Sequence, residues 1–448
     1  MPHEVLMWFL DRLRIRFARG RLARRVVSNA GWMLADRAIR LGIGFIVGVW
    51  AARYLGPNDF GQLAYALAIA GLCSMLVDLA LEGVVVSAVL ERPTQTNVIL
   101  ATAFWLRVIG ATIGMLVVIA GVRIVRPDEP VIVAMAFIVA LSFFANPFHV
   151  IEFWYQSKLE SRAPMVARSI AFVVVTGLRI GCILAALPVV AFAWLVAIEG
   201  ALAASALMLV FRRSGQRFTG MRWSTAEARA LLRQAAPLIL AGIAAIALMR
   251  VDQLMIGALL DDRAVGIYAA ASRLTETLAL VAAAIASSLL PAVIELQRSS
   301  AERYRFELER IFASMLALAI AVALPVSIAA PWIIALLYGS RFDGAELILA
   351  IHVWSCLFTF VGTVIANRLL ADRLNGYAFM RMGAALLVNI ALNLLFIPRL
   401  GLTGAAWSAV IANAVAVYIL LGPRATREIG IMACKAVLFL RFVPRLRY

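Results

Sequence analysis

Residues 190–259 read VAFAWLVAIEGALAASALMLVF (190–211), RRSGQRFTGMRWSTAEARAL (212–231) and LRQAAPLILAGIAAIALMRVDQLMIGAL (232–259). Two long apolar runs flank one polar, basic connector. A bilayer's hydrocarbon core is about 30 Å thick and takes about 20 helical residues to cross. Each run is long enough. Backbone groups in lipid must bond within their own segment, so such runs are helices. The pattern recurs along nearly all 448 residues, 64% of which are hydrophobic, and yet the formal charge is +17. The mean hydropathy is +0.93. A soluble core could not bury that much apolar surface. The chain reads as an all-α integral membrane protein crossing the bilayer many times.

Working outward from the connector, six spans lie on each side of it. They run over roughly 27–52, 61–89, 97–122, 131–153, 164–187 and 190–211, then 232–259, 266–292, 310–337, 345–370, 377–397 and 403–422. The expected organisation is a basic segment (1–26), an N-lobe (27–211), a linker (212–231), a C-lobe (232–422) and a basic tail (423–448). Within the linker, Ser224 and Glu227 have the spacing of a capping box opening span seven.

Arginine gives the orientation. Lysine occurs only at Lys158 and Lys435. The odd-numbered connectors hold little positive charge: Arg53, then Arg123 and Arg126, then none, then Arg263, Arg341 and Arg399. The even connectors and both tails hold far more, as in Arg212, Arg213, Arg217, Arg222, Arg229 and Arg233. The positive-inside rule then puts both termini and the linker in the cytoplasm. It also accounts for the net charge without nucleic acid. The segment Glu4–Arg25 reads either as an amphipathic helix on the anionic leaflet or as an unstructured basic tail. The stretch 429–443 is apolar but short, and fits an interfacial or half-inserted helix. Cys73, Cys182, Cys356 and Cys434 are scattered singly, without metal-ligand spacing.

The halves echo each other. Leu55-Gly56-Pro57-Asn58-Asp59-Phe60-Gly61 joins spans one and two. Leu260-Asp261-Asp262-Arg263-Ala264-Val265-Gly266 joins spans seven and eight. Each is a turn closed by a Gly that opens the next helix. Repeated bundles are a plan of alternating-access transporters, with the site between repeats near mid-membrane.

Ionisable residues inside spans mark the candidate site. Each costs about 2.5–3.5 kcal/mol at the bilayer centre even on lenient scales, so each needs water or a partner. Span one carries Asp36, Arg37 and Arg40; span two Asp78 and Glu82; span three Arg107; span five Arg179. Span seven carries Arg250 and Asp252, and span eight Arg273 and Glu276. Asp36–Arg40 and Arg273–Glu276 have helical-neighbour spacing, so pairing within a helix competes with ligand binding; Asp78 and Glu82 have the same spacing but like charge. Arg53 and Arg107 lie near span ends, where snorkelling is an alternative. His149 and His352 are candidates for proton coupling, and Pro147 and Pro325 for helix bends.

Several stretches resemble a known family. Ala51-Ala52-Arg53-Tyr54-Leu55-Gly56-Pro57, with Phe60-Gly61 and Tyr65-Ala66, is similar to the opening of bacterial oligosaccharide flippases. These belong to the multidrug/oligosaccharidyl-lipid/polysaccharide exporter superfamily. Asp252-Gln253-Leu254-Met255-Ile256-Gly257 with Gly266-Ile267-Tyr268-Ala269-Ala270 resembles the start of its second lobe, and Pro291 fits. Asn389 to Asn393, Ile397-Pro398 and Leu400 to Trp407 resemble its last two spans.

The resemblance implies about twelve helices in two six-helix lobes related by a pseudo-twofold axis. It implies a flippase moving undecaprenyl-diphosphate-linked oligosaccharide across the membrane by alternating access, for O-antigen, capsule or exopolysaccharide assembly. Partners would be membrane lipids and a polysaccharide polymerase with its assembly proteins. No cofactor is implied; sodium or proton coupling stays open. Arg37, Arg40, Arg53, Arg250 and Arg273 are the candidate substrate-binding residues, because guanidinium forks bind phosphate oxygens bidentately. Asp36, Asp78, Glu82, Asp252 and Glu276 are candidates for coupling or ion pairing. Asn29, Trp32, Asn146, Trp154, Tyr155, Gln156, Asn367 and Asn389 are candidate sugar contacts. Two other readings remain: a multidrug antiporter of the same superfamily, or a polytopic polysaccharide polymerase or ligase. Short outer connectors count against the second.

Overall fold

The computed structural model describes the backbone of residues 21–215, 222–299, 301–372 and 374–437. Side chains are described within those ranges except at 21–39, 287–303, 375 and 436–437. The first segment and the end of the tail therefore lie outside the described residues, as do the side chains of Asn29, Trp32, Asp36 and Arg37. Among the described residues the chain is helical throughout, with no strand.

Ten helices are long and apolar enough to cross a membrane, and a bent pair, Ala345–His352 and Ser355–Ala371, makes an eleventh crossing. The first of the ten, Arg40–Glu91, is 52 residues long. At 1.5 Å per residue it would measure about 78 Å, far beyond one bilayer. It is broken at Gly56, whose φ of 75° and ψ of 172° are not helical. The chain doubles back there, since Gly44 and Gly71 line one cavity. On a straight helix they would stand about 40 Å apart. This run therefore crosses twice, and the described residues make the expected twelve crossings.

Three spans depart from regular helix. Span two breaks at Leu79 and Ala80, which have φ of 52° and 46°. Span four runs as Pro130–Leu141, a 3-10 segment Ser142–His149, and Val150–Ser157. Pro147 lies in the 3-10 segment. It lacks an N–H and its ring crowds the preceding turn, which accounts for the change. The third departure is the 40° bend in span ten, beside His352.

Arg107 repairs two of these breaks. Its Nη1 donates to the Asn146 carbonyl at 2.9 Å and its Nη2 to the Asp78 carbonyl at 3.2 Å. It is 4% exposed. The snorkelling left open for it gives way to a structural reason: broken backbone at membrane depth must find donors inside the protein.

The packing shows how the lobes meet. Around Gly56, one core takes residues from both lobes, including Phe60, Tyr65, Val118, Tyr268, Tyr338 and Phe342. Toward the basic connectors the core divides. A C-lobe core gathers Phe312, Phe360 and Leu369. An N-lobe core gathers Leu81, Ile99 and Phe211, and also takes Leu231 and Ala235 from the start of span seven.

The two echoed turns touch. A Cβ on Gly61 would collide with the Asp262 carbonyl, and one on Gly266 with the Pro57 carbonyl. Each glycine packs on the carbonyl four residues before the other. Such a reciprocal contact is what a local twofold axis produces. Only glycine lets the two helix starts approach this closely.

At the opposite end Ser224 caps span seven, accepting from the Glu227 N–H at 3.3 Å. The Glu227 carboxylate does not close the capping box. It pairs with Arg92, both oxygens at 2.7 Å. Within the described residues the 429–443 stretch contributes the helix Arg427–Val437. Ile429, Met432 and Ala433 pack it into the C-lobe core.

Candidate functional site

Between the lobes lies a cavity of about 500 Å³. Its depth follows from helix geometry. Gly44, Arg250 and Arg273 each sit some 9–12 residues from the Gly56 end of their spans, or about 14–18 Å along the helix axis. That is near the middle of a bilayer about 30 Å thick.

Four arginines line it: Arg40 from span one, Arg179 from span five, Arg250 from span seven and Arg273 from span eight. Glu276 is the carboxylate in the lining, and Gln253, Ser272 and Thr277 add neutral polar groups. Arg250 Nη1 donates to Glu276 Oε1 at 3.2 Å, joining spans seven and eight. Arg273 Nη2 donates to the Gly44 carbonyl at 3.4 Å. Arg179 approaches Glu199 at 4.0 Å, and the Arg40 guanidinium stands 6.0 Å from the Phe172 ring centre.

Small residues let the C-lobe arginines reach across. A Cβ on Gly48 would run into the Arg273 guanidinium, and one on Gly71 would sit 3.4 Å from Arg250 Nε. The lobes thus interlock at the cavity through arginine over glycine.

Of the expected substrate-binding arginines, Arg40, Arg250 and Arg273 come together here. Arg179 joins them; as a lone charge in span five it carried no pairing signal. Arg53 is elsewhere, at the Gly56 end, where it donates to the Leu336 carbonyl at 3.5 Å. It braces span one against span nine. Glu276 pairs with Arg250 rather than with Arg273, so the expected pair within span eight gives way to one between spans. Asp78 and Glu82 find separate partners. Asp78 meets Arg107 at 3.4 Å, and Glu82 accepts from Gln156 at 2.9 Å. Trp154 and Tyr155 are buried in the N-lobe core, away from the cavity.

Asp252 is buried inside the C-lobe at 4% exposure. Its Oδ1 accepts from Asn393 Nδ2 at 2.6 Å and its Oδ2 from the Tyr268 hydroxyl at 2.8 Å. Asn393 Nδ2 also donates to Asn389 Oδ1 at 3.0 Å. Asn393 Oδ1 and Asn389 Nδ2 are buried without a hydrogen-bond partner. His352 meets Thr275 Oγ1 at 3.0 Å, and its ring lies edge-on to Tyr268, 5.8 Å between centres. His149, in span four, stays outside this group.

The Gly56 end is closed by a second interlobe device. Arg126, between spans three and four, lies with its guanidinium 4.5 Å from the Tyr65 ring centre. Its Nη1 donates to Glu129 at 3.0 Å and also to Asp262 of the C-lobe. Its Nη2 donates to the Gly257 carbonyl of span seven.

A family model described as polysaccharide biosynthesis protein matches residues 26–297. The chain belongs to that family. The matched region runs through the N-lobe, the linker and spans seven and eight, the elements that supply all four cavity arginines. No curated protein matches the sequence significantly. Among solved structures the chain is similar to a lipid II flippase, MurJ, in an inward closed conformation. The TM-score is 0.66 at 14% identity, covering 90% of this chain and 91% of that one. It is also similar to a multidrug resistance MATE transporter of the MOP superfamily in an inward-facing conformation. There the TM-score is 0.64 at 13% identity, covering 89% and 96%. The outward-facing conformation gives 0.61 at 13% identity, covering 90% and 96%. At such identities the likeness shows the fold alone.

Proposed function

We propose that this family member is a flippase for undecaprenyl-diphosphate-linked oligosaccharide. The carrying observation is the cavity: among the described lining residues, four guanidinium groups and one carboxylate, at mid-membrane depth, between two lobes. A diphosphate offers about two negative charges and several acceptor oxygens to such forks. With the cytoplasm negative, two uncompensated charges moving outward gain roughly 4–5 kcal/mol per 100 mV. The sugars would feed O-antigen, capsule or exopolysaccharide assembly, with a polymerase and its assembly proteins as partners in the membrane. The MATE likeness keeps an organic-cation antiporter as the rival, but this cavity's excess of positive charge disfavours a cation.

The test is reconstitution with a lipid-linked oligosaccharide bearing a fluorescent sugar. Outward movement scored by a quencher supports the reading. Movement of organic cations with the lipid-linked glycan left in place would overturn it.

Orientation follows from charge. The basic connectors face the cytoplasm of the inner membrane, and the Gly56 end faces out. On a Cys-free background, Cys at position 262 should react with an impermeant thiol reagent in intact cells, and Cys at position 220 should not. The reverse pattern would invert the topology.

Asp252 is the proposed coupling residue. A buried carboxylate beside an unpaired Asn393 oxygen is costly unless a proton or a small cation joins it. Asp252→Asn should make glycan movement indifferent to sodium and proton gradients while the protein remains folded. Unchanged gradient dependence would remove Asp252 from that role.

A further inference from the structure

A larger cleft lies on the outside of the N-lobe, between spans four and six, with a volume of about 750 Å³. Its floor is one face of the helix Val189–Arg213: Trp194, Ala197, Ala201, Ser205, Met208 and Arg212. Steps of three and four residues place these side chains in a single line. Phe144 and Phe148, from the 3-10 segment of span four, form the facing wall. None of the lining residues lines the central cavity.

Two properties of this groove constrain what fills it. The first is length. From Trp194 to Arg212 the line is about 27 Å long at 1.5 Å per residue. That nearly equals the whole hydrocarbon thickness of about 30 Å, whereas one leaflet supplies half. A single phospholipid acyl chain would fill only part of the groove. The second is polarity. The Trp194 end is apolar. The other end carries Arg212, exposed, in the last turn of its helix. Among the described residues no carboxylate pairs with its guanidinium. An apolar trough longer than a leaflet, with one unpaired cation at the basic end, complements a long hydrocarbon chain bearing one anionic head.

We propose that this groove binds a polyprenyl phosphate, its isoprenoid chain along the span-six face and its phosphate on Arg212. The proposal rests on the flippase reading and extends it. It gives the carrier lipid a seat on the transporter's flank, separate from the cavity that passes the head group. The small residues of the floor leave room for the chain, and the aromatic wall contacts the branched isoprene units.

The test uses the full-length protein in phosphatidylcholine nanodiscs, with native mass spectrometry of retained lipid. The probes are undecaprenyl phosphate, farnesyl phosphate and phosphatidylglycerol, each as a minor component. Undecaprenyl phosphate should be retained about tenfold more strongly than either competitor. Arg212→Gln, at an exposed site, should reduce that retention about tenfold by removing a charge-assisted hydrogen bond. Ala201→Trp should abolish it by filling the floor. Leu202→Trp, one residue round the same helix and off the line, should not. Equal retention of phosphatidylglycerol would show an ordinary lipid contact and overturn the proposal. So would full retention in Arg212→Gln or Ala201→Trp. The readout needs no transport. A wild type that retains the lipid but moves no glycan sinks the flippase reading alone. A wild type that moves glycan, with retention unaffected by Ala201→Trp, sinks the groove alone.

Discussion

Replacing Arg273 with Ala should cut glycan export at least tenfold and leave the amount of folded protein unchanged. Arg273 lies at mid-depth and donates from Nη2 to the Gly44 carbonyl, at 3.4 Å. Removing it strands no carboxylate. Hydrogen bonds to charged groups contribute about 1.5–3 kcal/mol each, which corresponds to roughly 10-fold to over 100-fold in binding. Lys at this position should restore part of the export, because the charge stays while the planar fork is lost. Arg250 should behave differently. It holds Glu276 at 3.2 Å, with side chains 31% and 25% exposed. Ala there leaves a half-buried carboxylate without its partner, so protein level should fall along with export. Arg250→Ala with Glu276→Gln should recover the protein but not the export. Quantitative immunoblotting beside a lipid-linked-glycan accumulation assay separates the two effects. Full export by Ala variants of Arg40, Arg179, Arg250 and Arg273 at normal protein level would sink the cationic-cavity mechanism, though not the family assignment.

That contrast between two neighbouring arginines marks how far the sequence could be read. The crossings were legible because each needs about 20 apolar residues and the connectors are polar. The lobe echo was legible too, since a glycine opens span two and span eight, and the structure seats Gly61 and Gly266 against each other. Pairing was not. Spacing of three residues told that Arg273 and Glu276 share a helix face, but Arg250 on the next helix takes the carboxylate. Arg107 stayed ambiguous for a related reason. A lone arginine near a span end reads as snorkelling, yet the broken backbone at Asp78 and Asn146 supplies carbonyl acceptors that no residue type announces. Arg53 was drawn into the site by its motif, and tertiary packing spends it on the Leu336 carbonyl. Arg179 was visible as an intramembrane charge, but only the packing of span five beside span one carries it to the cavity. Gly48 and Gly71 were the overlooked signal: a small residue in one lobe marks where an arginine of the other can cross.

Arg126→Ala should open the Gly56 end of the interlobe cavity. Arg126 is 7% exposed and belongs to the N-lobe. Its partners Asp262 and Gly257 belong to the C-lobe, and Tyr65 covers its other face. Removing one member of a buried pair typically costs about 3–5 kcal/mol. The interlobe part of that cost is felt only while the lobes touch at this end. It therefore acts on the equilibrium between closed and open states more than on folding. A shift of about 3 kcal/mol changes that ratio by roughly 100-fold. Gly61→Val should act in the same direction by a different route, since its side chain would meet the Asp262 carbonyl. Arg92→Ala removes the ion pair with Glu227 at the opposite end and should not open this one. Phe60, whose ring centre lies 6.1 Å from that of Phe342, gives the readout. A Cys there, on a Cys-free background, is shielded while the lobes touch and exposed when they part. Its reaction with an impermeant thiol reagent should rise steeply in Arg126→Ala and Gly61→Val, with the thermal unfolding midpoint little changed. A charge swap, Arg126→Glu with Asp262→Arg, should restore only part of the shielding, because Glu cannot donate to the Gly257 carbonyl or stack as a cation on Tyr65. Labelling at position 60 that stays at the wild-type rate in both single variants would show that the Gly56 end is held shut by its shared apolar core, without the latch.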